Sequence, residues 1–247
     1  RKALITFLTV GDPNMEVSEK AIYTMQEEGA DLIELGVPFS DPAADGPVIQ
    51  RADERALAQG VDIFKVFELV RKIRNNVEVP MVFLLYYNVM VQYGIEKFFK
   101  RCQETGVDGL IIPDLPYEES DEIKEYTEKY GVYQISLVSP TSKDRIKNIA
   151  KDAKGFLYCI SSLGVTGEKS SFVTNFDEFV GTIKKYTDVP ACVGFGVSNG
   201  RQVKELTKYF DGAIVGSAIV KSIATGESVE ERINNLREKI KDLKSGL

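Results

Sequence analysis

Residues 32–50 read LIELGVPFSDPAADGPVIQ. The run opens as an apolar strand with one carboxylate, Glu34, inside it. It turns through Gly36, Pro38 and Pro42, passes Asp41 and Asp45, and restarts as a helix after Gly46-Pro47. Proline at that point suits a first helical turn. A glutamate in an apolar strand is costly to bury unless it is paired or used. Acids in a strand-to-helix loop sit where α/β barrels keep their chemistry. The stretch therefore predicts one βα unit that carries two candidate acid–base groups.

The same unit recurs along the chain. Apolar runs that read as strands are ALITFLTV (3–10), MVFLLYY (81–87), DGLIIPD (108–114), YQISLVSP (133–140), FLYCIS (156–161), ACVGFGVSN (191–199) and GAIVGSAIV (212–220). Amphipathic or capped helical stretches lie between them, at 15–28, 63–74, 95–106, 176–186 and 200–210 among others, and 228–244 closes the chain. Residues 88–94 read as a loop. Alternation of this kind gives about eight βα units, the number that a TIM (β/α)8 barrel requires. No linker or composition break interrupts residues 1–247, so a single α/β domain is expected. A doubly wound sheet is the alternative, but no GxGxxG follows the first strand.

Composition narrows the chemistry. The chain has 247 residues, a net charge of −6 and 43% hydrophobic residues. No apolar run is long enough to span a bilayer, no secretory signal opens the chain, and no basic stripe suits nucleic acid. Cys102, Cys159 and Cys192 are odd in number and in no CxxC spacing, which fits buried thiols in a reducing, cytoplasmic setting. Histidine is absent, so Ser-His-Asp and Cys-His catalysis and histidine metal sites are excluded. Proton transfer near neutral pH falls to Asp, Glu, Tyr or Lys.

Strand exits of a barrel share one face. There the sequence places Glu34 and Asp45, then Tyr86, Asn88, Asp114, Ser139 and Tyr158. The late exits carry Gly167, Gly196, Gly216 and Ser217, small residues that let backbone N–H groups approach an anion ahead of a short helix. Phosphate at that corner is the expected ligand, against ordinary turn glycines. No lysine lies at an exit, which weighs against Schiff-base chemistry. For Asp45 the competing reading is a helix N-cap. For Glu34 it is a structural acid, and for Asp114 a turn. Tyr86 and Tyr158 read as packed aromatics, and Phe7 and Phe195 as core or as the lining of an aromatic pocket. A long polar loop, 162–175, reads as a lid or binding loop.

These motifs resemble the tryptophan synthase alpha subunit family. LIELGVPFSDPAADGPVIQ matches its signature, and TFLTVGDP (6–13), FLLYYN (83–88), DGLIIPDLPYEES (108–120), SSLGVTG (161–167), GFGVS (194–198) and VGSAIVK (215–221) follow in the family's order. The resemblance implies a TIM barrel that splits indole-3-glycerol phosphate into indole and glyceraldehyde 3-phosphate without a cofactor. It implies catalysis by Glu34 and Asp45. It implies phosphate binding at Gly167, Gly196, Gly216 and Ser217, and an indole pocket of Phe7, Leu84, Tyr86, Tyr158, Thr166 and Phe195. It also implies a beta-subunit partner, which carries pyridoxal phosphate, in an α2β2 heterotetramer. Two departures stand out: the family's short helix before the first strand is not in this sequence, and Pro113 stands where a smaller residue is common. A barrel that acts chiefly as an allosteric partner, and a different phosphosugar barrel such as an isomerase, are the alternatives.

Overall fold

The computed structural model describes residues 1–160, 175–194 and 196–247, with Lys143 and Asp144 described by backbone alone. Its strands are β1 (Ala3–Thr9), β2 (Leu32–Gly36), β3 (Met81–Leu84), β4 (Gly109–Ile111), β5 (Tyr133–Gln134), β6 (Ser136–Val138), β7 (Leu157–Ile160), β8 (Ala191–Gly194) and β9 (Gly212–Val215). All neighbours pair in parallel, in the order β5-β4-β3-β2-β1-β9-β8-β7-β6. The two ends of that order are consecutive in the chain and are separated by Ile135 alone. β5 pairs with β4 and β6 with β7, so the fifth barrel strand serves both sides and closes the sheet. Counted that way, the strands form the eight-stranded TIM barrel that the sequence predicts.

The helices are α1 (Met15–Glu27), α2 (Pro47–Ala58), α3 (Ile63–Ile73), α4 (Tyr87–Tyr93), α5 (Ile95–Thr105), α6 (Asp121–Tyr130), α7 (Lys143–Asp152), α8 (Phe176–Lys184), α9 (Gly200–Leu206), α10 (Ser217–Ala224) and α11 (Val229–Lys244). Their apolar faces pack on the outside of the barrel around Leu4, Leu8, Phe67, Phe83, Phe98 and Phe210. Inside the barrel a second layer holds Ile5, Val82, Ile111, Ile135, Phe156, Tyr158, Cys192 and Ile214. Burial of both faces explains why these strands read as continuous apolar runs instead of alternating ones.

One expectation fails: Asn88 to Tyr93 belong to helix α4 and not to a loop, with Gly94 as its C-cap, and β3 stops at Leu84 instead of reaching 87. The segment YNVMVQY is poor in strong helix formers, so its pattern does not announce a helix. Tertiary contacts supply what propensity lacks. Asp114, at the exit of β4, accepts the Tyr87 backbone N–H at 2.9 and 3.1 Å, and Met90 is fully buried. Gly94, at φ +91°, then turns the chain into α5.

Candidate active site

Glu34 sits in mid-strand β2, with Phe7 of β1 and Val82 of β3 as its register partners. Parallel partners face the same side, so Glu34 points with Phe7 and Val82 into the barrel. It is 1% exposed, and its Oε1 has no hydrogen-bond partner among the described residues. Burial alone pushes the carboxyl up to about 8. A glutamate so placed holds its proton at neutral pH and is an acid ready to give it up.

Asp45 lies in the loop from β2 to α2 and is buried. Its Oδ2 accepts a hydrogen bond from the Tyr86 hydroxyl at 2.8 Å, and that hydroxyl accepts one from the Ala44 backbone N–H at 2.9 Å. Tyr86 also stacks on Phe39 at a centroid separation of 5.0 Å. One side chain at the exit of β3 thereby grips the acidic loop at three points. Burial raises the affinity of Asp45 for a proton, and the Tyr86 hydrogen bond opposes it. The helix-cap reading of Asp45 does not hold. The N-cap of α2 is Gly46, without a side-chain capping bond, and the carboxylate turns to Tyr86 instead. Tyr86 is accordingly more than a packed aromatic.

Tyr158, on β7, is buried across the barrel from the acids. Its phenol is held protonated by burial first, then by the charges of Glu34 and Asp45. The side chain fits because β8 ends in Gly194, where a Cβ would come within 2.6 Å of the Tyr158 ring. Phe7 owes its place to Gly36 in the same way, since a Cβ there would lie 2.6 Å from the ring. Phe7 also packs in a small cluster with Ile49, Ala52 and Val220, against which Leu84 lies. Leu84 also packs against the inner layer that holds Tyr158.

Gly216 forms the N-cap of α10 and Ser217 its first residue; the Gly216 carbonyl accepts the N–H groups of Ile219 and Val220. The first N–H groups of a helix have no acceptor within it and suit an anion. Gly196 adopts φ +85° just after β8. Gly167, Thr166 and Phe195, and most of the 162–175 loop, lie outside the described residues. Asp114 is occupied at the start of α4, Ser139 pairs with Thr141 and Ser142, and the Asp41 carboxylate accepts from Ser40 at the surface.

Two acids escaped the sequence reading. Asp12 is buried and forms a two-point ion pair with Arg55, at 2.7 and 2.9 Å. Asp53 is 5% exposed on α2, and burial, then the charge of Asp45, push it up to about 8. A signal was present: Ile49, Ala52, Asp53 and Ala56 form the buried stripe of α2, so Asp53 is a carboxyl on an apolar face. The three cysteines are buried and unpaired by disulfides, and burial pushes their thiols up, away from nucleophile chemistry. Among the described residues no group of three or more His, Cys, Asp or Glu could hold a metal ion.

Comparison with known proteins places this arrangement. The family model described as tryptophan synthase alpha chain matches residues 1–247. The tryptophan synthase alpha chain of Alkaliphilus metalliredigens is 48% identical over 247 residues, covering 99% of this chain and 93% of that protein. Among solved structures, tryptophan synthase of Mycobacterium tuberculosis superposes with a TM-score of 0.90 at 36% identity, covering 100% of this chain and 92% of the other. The alpha subunit from Campylobacter jejuni superposes with a TM-score of 0.87 at 39% identity, covering 98% and 95%.

Proposed function

The chain belongs to the tryptophan synthase alpha chain family, a family of lyases, and we propose that Glu34 and Asp45 carry its alpha reaction. That reaction is the retro-aldol cleavage of indole-3-glycerol phosphate to indole and glyceraldehyde 3-phosphate. The observation that carries the assignment is the pairing of unlike acids. Glu34 is a carboxyl buried inside the barrel and protonated at neutral pH, with no partner for its Oε1 among the described residues. Asp45 is a carboxylate fixed by Tyr86 at the mouth. Two carboxyls held in different environments take different roles.

The chemistry follows from those states. Glu34 gives its proton to indole C3, and the ring nitrogen takes up positive charge. Asp45 accepts the indole N–H and stabilises that charge; a preorganised group of this kind is worth about 3 kcal/mol. Glu34, now a carboxylate, removes the proton of the hydroxyl on the adjacent glycerol carbon. The bond between that carbon and C3 breaks, its electrons restore the indole, and the hydroxyl oxygen becomes the aldehyde carbonyl. Glu34 ends protonated, as it began. Phe7, Leu84, Tyr86, Tyr158, Thr166 and Phe195 bound the indole. Gly167, Gly196, Gly216 and Ser217 receive the phosphate, which orients the other end of the substrate toward Glu34. Burial of Glu34 also keeps water from the protonated intermediate.

Family membership supports a partner subunit. We infer a beta subunit that holds pyridoxal phosphate, condenses the released indole with serine and assembles with this chain as an α2β2 heterotetramer. This chain needs no cofactor for its own step, folds as one domain over residues 1–247 and works in the cytoplasm. No helix among the described residues is long and apolar enough to cross a membrane.

Indole release from indole-3-glycerol phosphate tests the assignment. Glu34→Gln and Asp45→Asn each lower kcat by at least about 100-fold, the loss typical of one preorganised catalytic group, with near-native circular dichroism. Turnover close to the parent chain in both variants, with a beta subunit present, would refute it.

A further inference from the structure

Two hydroxyls of β1, those of Thr6 and Thr9, are buried and have no hydrogen-bond partner among the described residues. A buried hydroxyl left unpaired is costly, so each calls for a reason. Strand parity separates the two. Leu4 and Leu8 belong to the outer core, so Thr6, which shares their parity, faces the helices. Ile5 belongs to the inner layer and Phe7 pairs in register with Glu34, so Thr9, next in that series, faces into the barrel. Its register row is Thr9, Gly36, Leu84 and Ile111, one step nearer the mouth than the row of Phe7, Glu34 and Val82. Of the four residues in the upper row, Thr9 alone carries a polar side chain. The strand that presents it, β1, lies between β9 and β2 in the sheet. At the exit of β9, the atoms that a Cβ on Gly216 would meet first belong to Phe7. Thr9 therefore stands between the Gly216 corner on one side and Glu34 on the other.

We propose that the Thr9 hydroxyl receives the middle hydroxyl of the substrate's glycerol chain and makes the site specific for a hydroxylated chain. This rests on the proposed function, which puts the phosphate at the exits of β8 and β9 and the carbon that leaves indole at Glu34. The glycerol chain that joins those two ends crosses the exit of β1. Its hydroxyl next to the indole gives its proton to Glu34, and its middle hydroxyl takes no part in the bond changes. A buried hydroxyl of the protein that lacks a partner and a hydroxyl of the ligand that needs one then satisfy each other, each able to donate and to accept. The bond is present before and during cleavage, so it holds substrate and transition state alike. Thr6, equally unpaired but on the outer face, has no such role and serves as its control.

The test measures kcat and KM for indole release, with a beta subunit present, in the parent chain, Thr9→Val, Thr9→Ser and Thr6→Val. Two substrates are compared: indole-3-glycerol phosphate and its analogue without the middle hydroxyl, which keeps the hydroxyl that reacts. Thr9→Val lowers kcat/KM for the full substrate by about tenfold, mostly through KM, the effect of one lost hydrogen bond. For the analogue the same variant stays within about twofold of the parent, because the bond was never made. Thr9→Ser keeps a hydroxyl and recovers most of the loss, and Thr6→Val behaves as the parent with both substrates. Neither valine variant melts below the parent without ligand, since each removes an unpaired buried hydroxyl. Equal losses on both substrates in Thr9→Val, or full discrimination between them, would overturn the proposal. So would a Thr9→Val chain that melts well below the parent, which would assign the hydroxyl to the fold. Failure is separable from failure of the catalytic assignment, which turnover of the parent against Glu34→Gln reads by itself.

Discussion

The hydroxyl of Tyr86 donates to Oδ2 of Asp45 across 2.8 Å, joining the exit of β3 to the loop that leaves β2. The bond is buried, and the same hydroxyl accepts the Ala44 N–H next door. Tyr86 therefore does two things for Asp45: it fixes the carboxylate and it offsets part of the cost of burying its charge. Its own phenol is pushed up by burial first and then by Asp45, so it keeps the proton it donates.

Tyr86→Phe removes that bond together with the one from the Ala44 N–H, while the ring still stacks on Phe39. A hydrogen bond to a charged group contributes about 1.5–3 kcal/mol. We expect kcat/KM for indole release to fall by on the order of 10–100-fold, with the larger part in kcat. A value within about twofold of the parent would show that the bond does not serve the reaction.

Glu34 predicts a pH-dependent stability. Its folded-state carboxyl titrates at about 8, whereas an unfolded glutamate titrates near ~4.3. Below the unfolded value both states are neutral and stability is full. As pH rises toward 8 the unfolded chain ionises while the folded one does not, so stability is lost across that window and levels off above it. Glu34→Gln has no such loss. In urea melts it should match the parent near pH 4.5 and exceed it at pH 8.5 by about 2–4 kcal/mol. An equal difference at both pH values would contradict the burial of a neutral acid there.

How far these features were legible in the sequence depends on what kind of interaction encodes them. The barrel was readable because burial of strands on both faces leaves apolar runs, and β1 and β2 appeared close to their true bounds. Glu34 was readable for the opposite reason: it breaks such a run. α4 was not, because what makes Tyr87 start a helix is Asp114, 27 residues away. The grip of Tyr86 on Asp45 spans 41 residues and leaves no local mark. Gly36 and Gly194 look like turn residues in sequence, and only the cross-strand positions of Phe7 and Tyr158 show that they are vacated volume.

That volume makes a sharp prediction. In Gly194→Ala the new methyl would meet the Tyr158 ring at 2.6 Å, with the hydroxyl at the same distance. The ring must move, and its phenol is sensitive to the charges of Glu34 and Asp45. Overpacking of this kind costs about 1–3 kcal/mol of stability. Gly216→Ala is the contrast, since its methyl would make an ordinary contact with Phe7 at 3.4 Å. Thermal melts and kcat should place Gly194→Ala well below the parent; a parent-like Gly194→Ala would mean that Tyr158 has room to spare.

The start of α10 offers a test in which stability and binding move in opposite directions. Ser217 is the first residue of that helix, where a negative side chain is favourable by about 0.3–1 kcal/mol through the helix dipole. Without phosphate, Ser217→Asp should be as stable as the parent or slightly more so. If the corner receives the substrate phosphate, the new carboxylate occupies the position of the anion and repels it. Inorganic phosphate should then raise the melting temperature of the parent, as any ligand selective for the folded state does, and leave Ser217→Asp unmoved. KM for indole-3-glycerol phosphate should rise by at least about tenfold, while kcat at saturation changes little, because the lost contact holds substrate and transition state alike. Phosphate that stabilises both proteins equally would remove Ser217 from the binding site, and a fall in kcat without a rise in KM would argue that the residue acts on the chemistry and not on the anion.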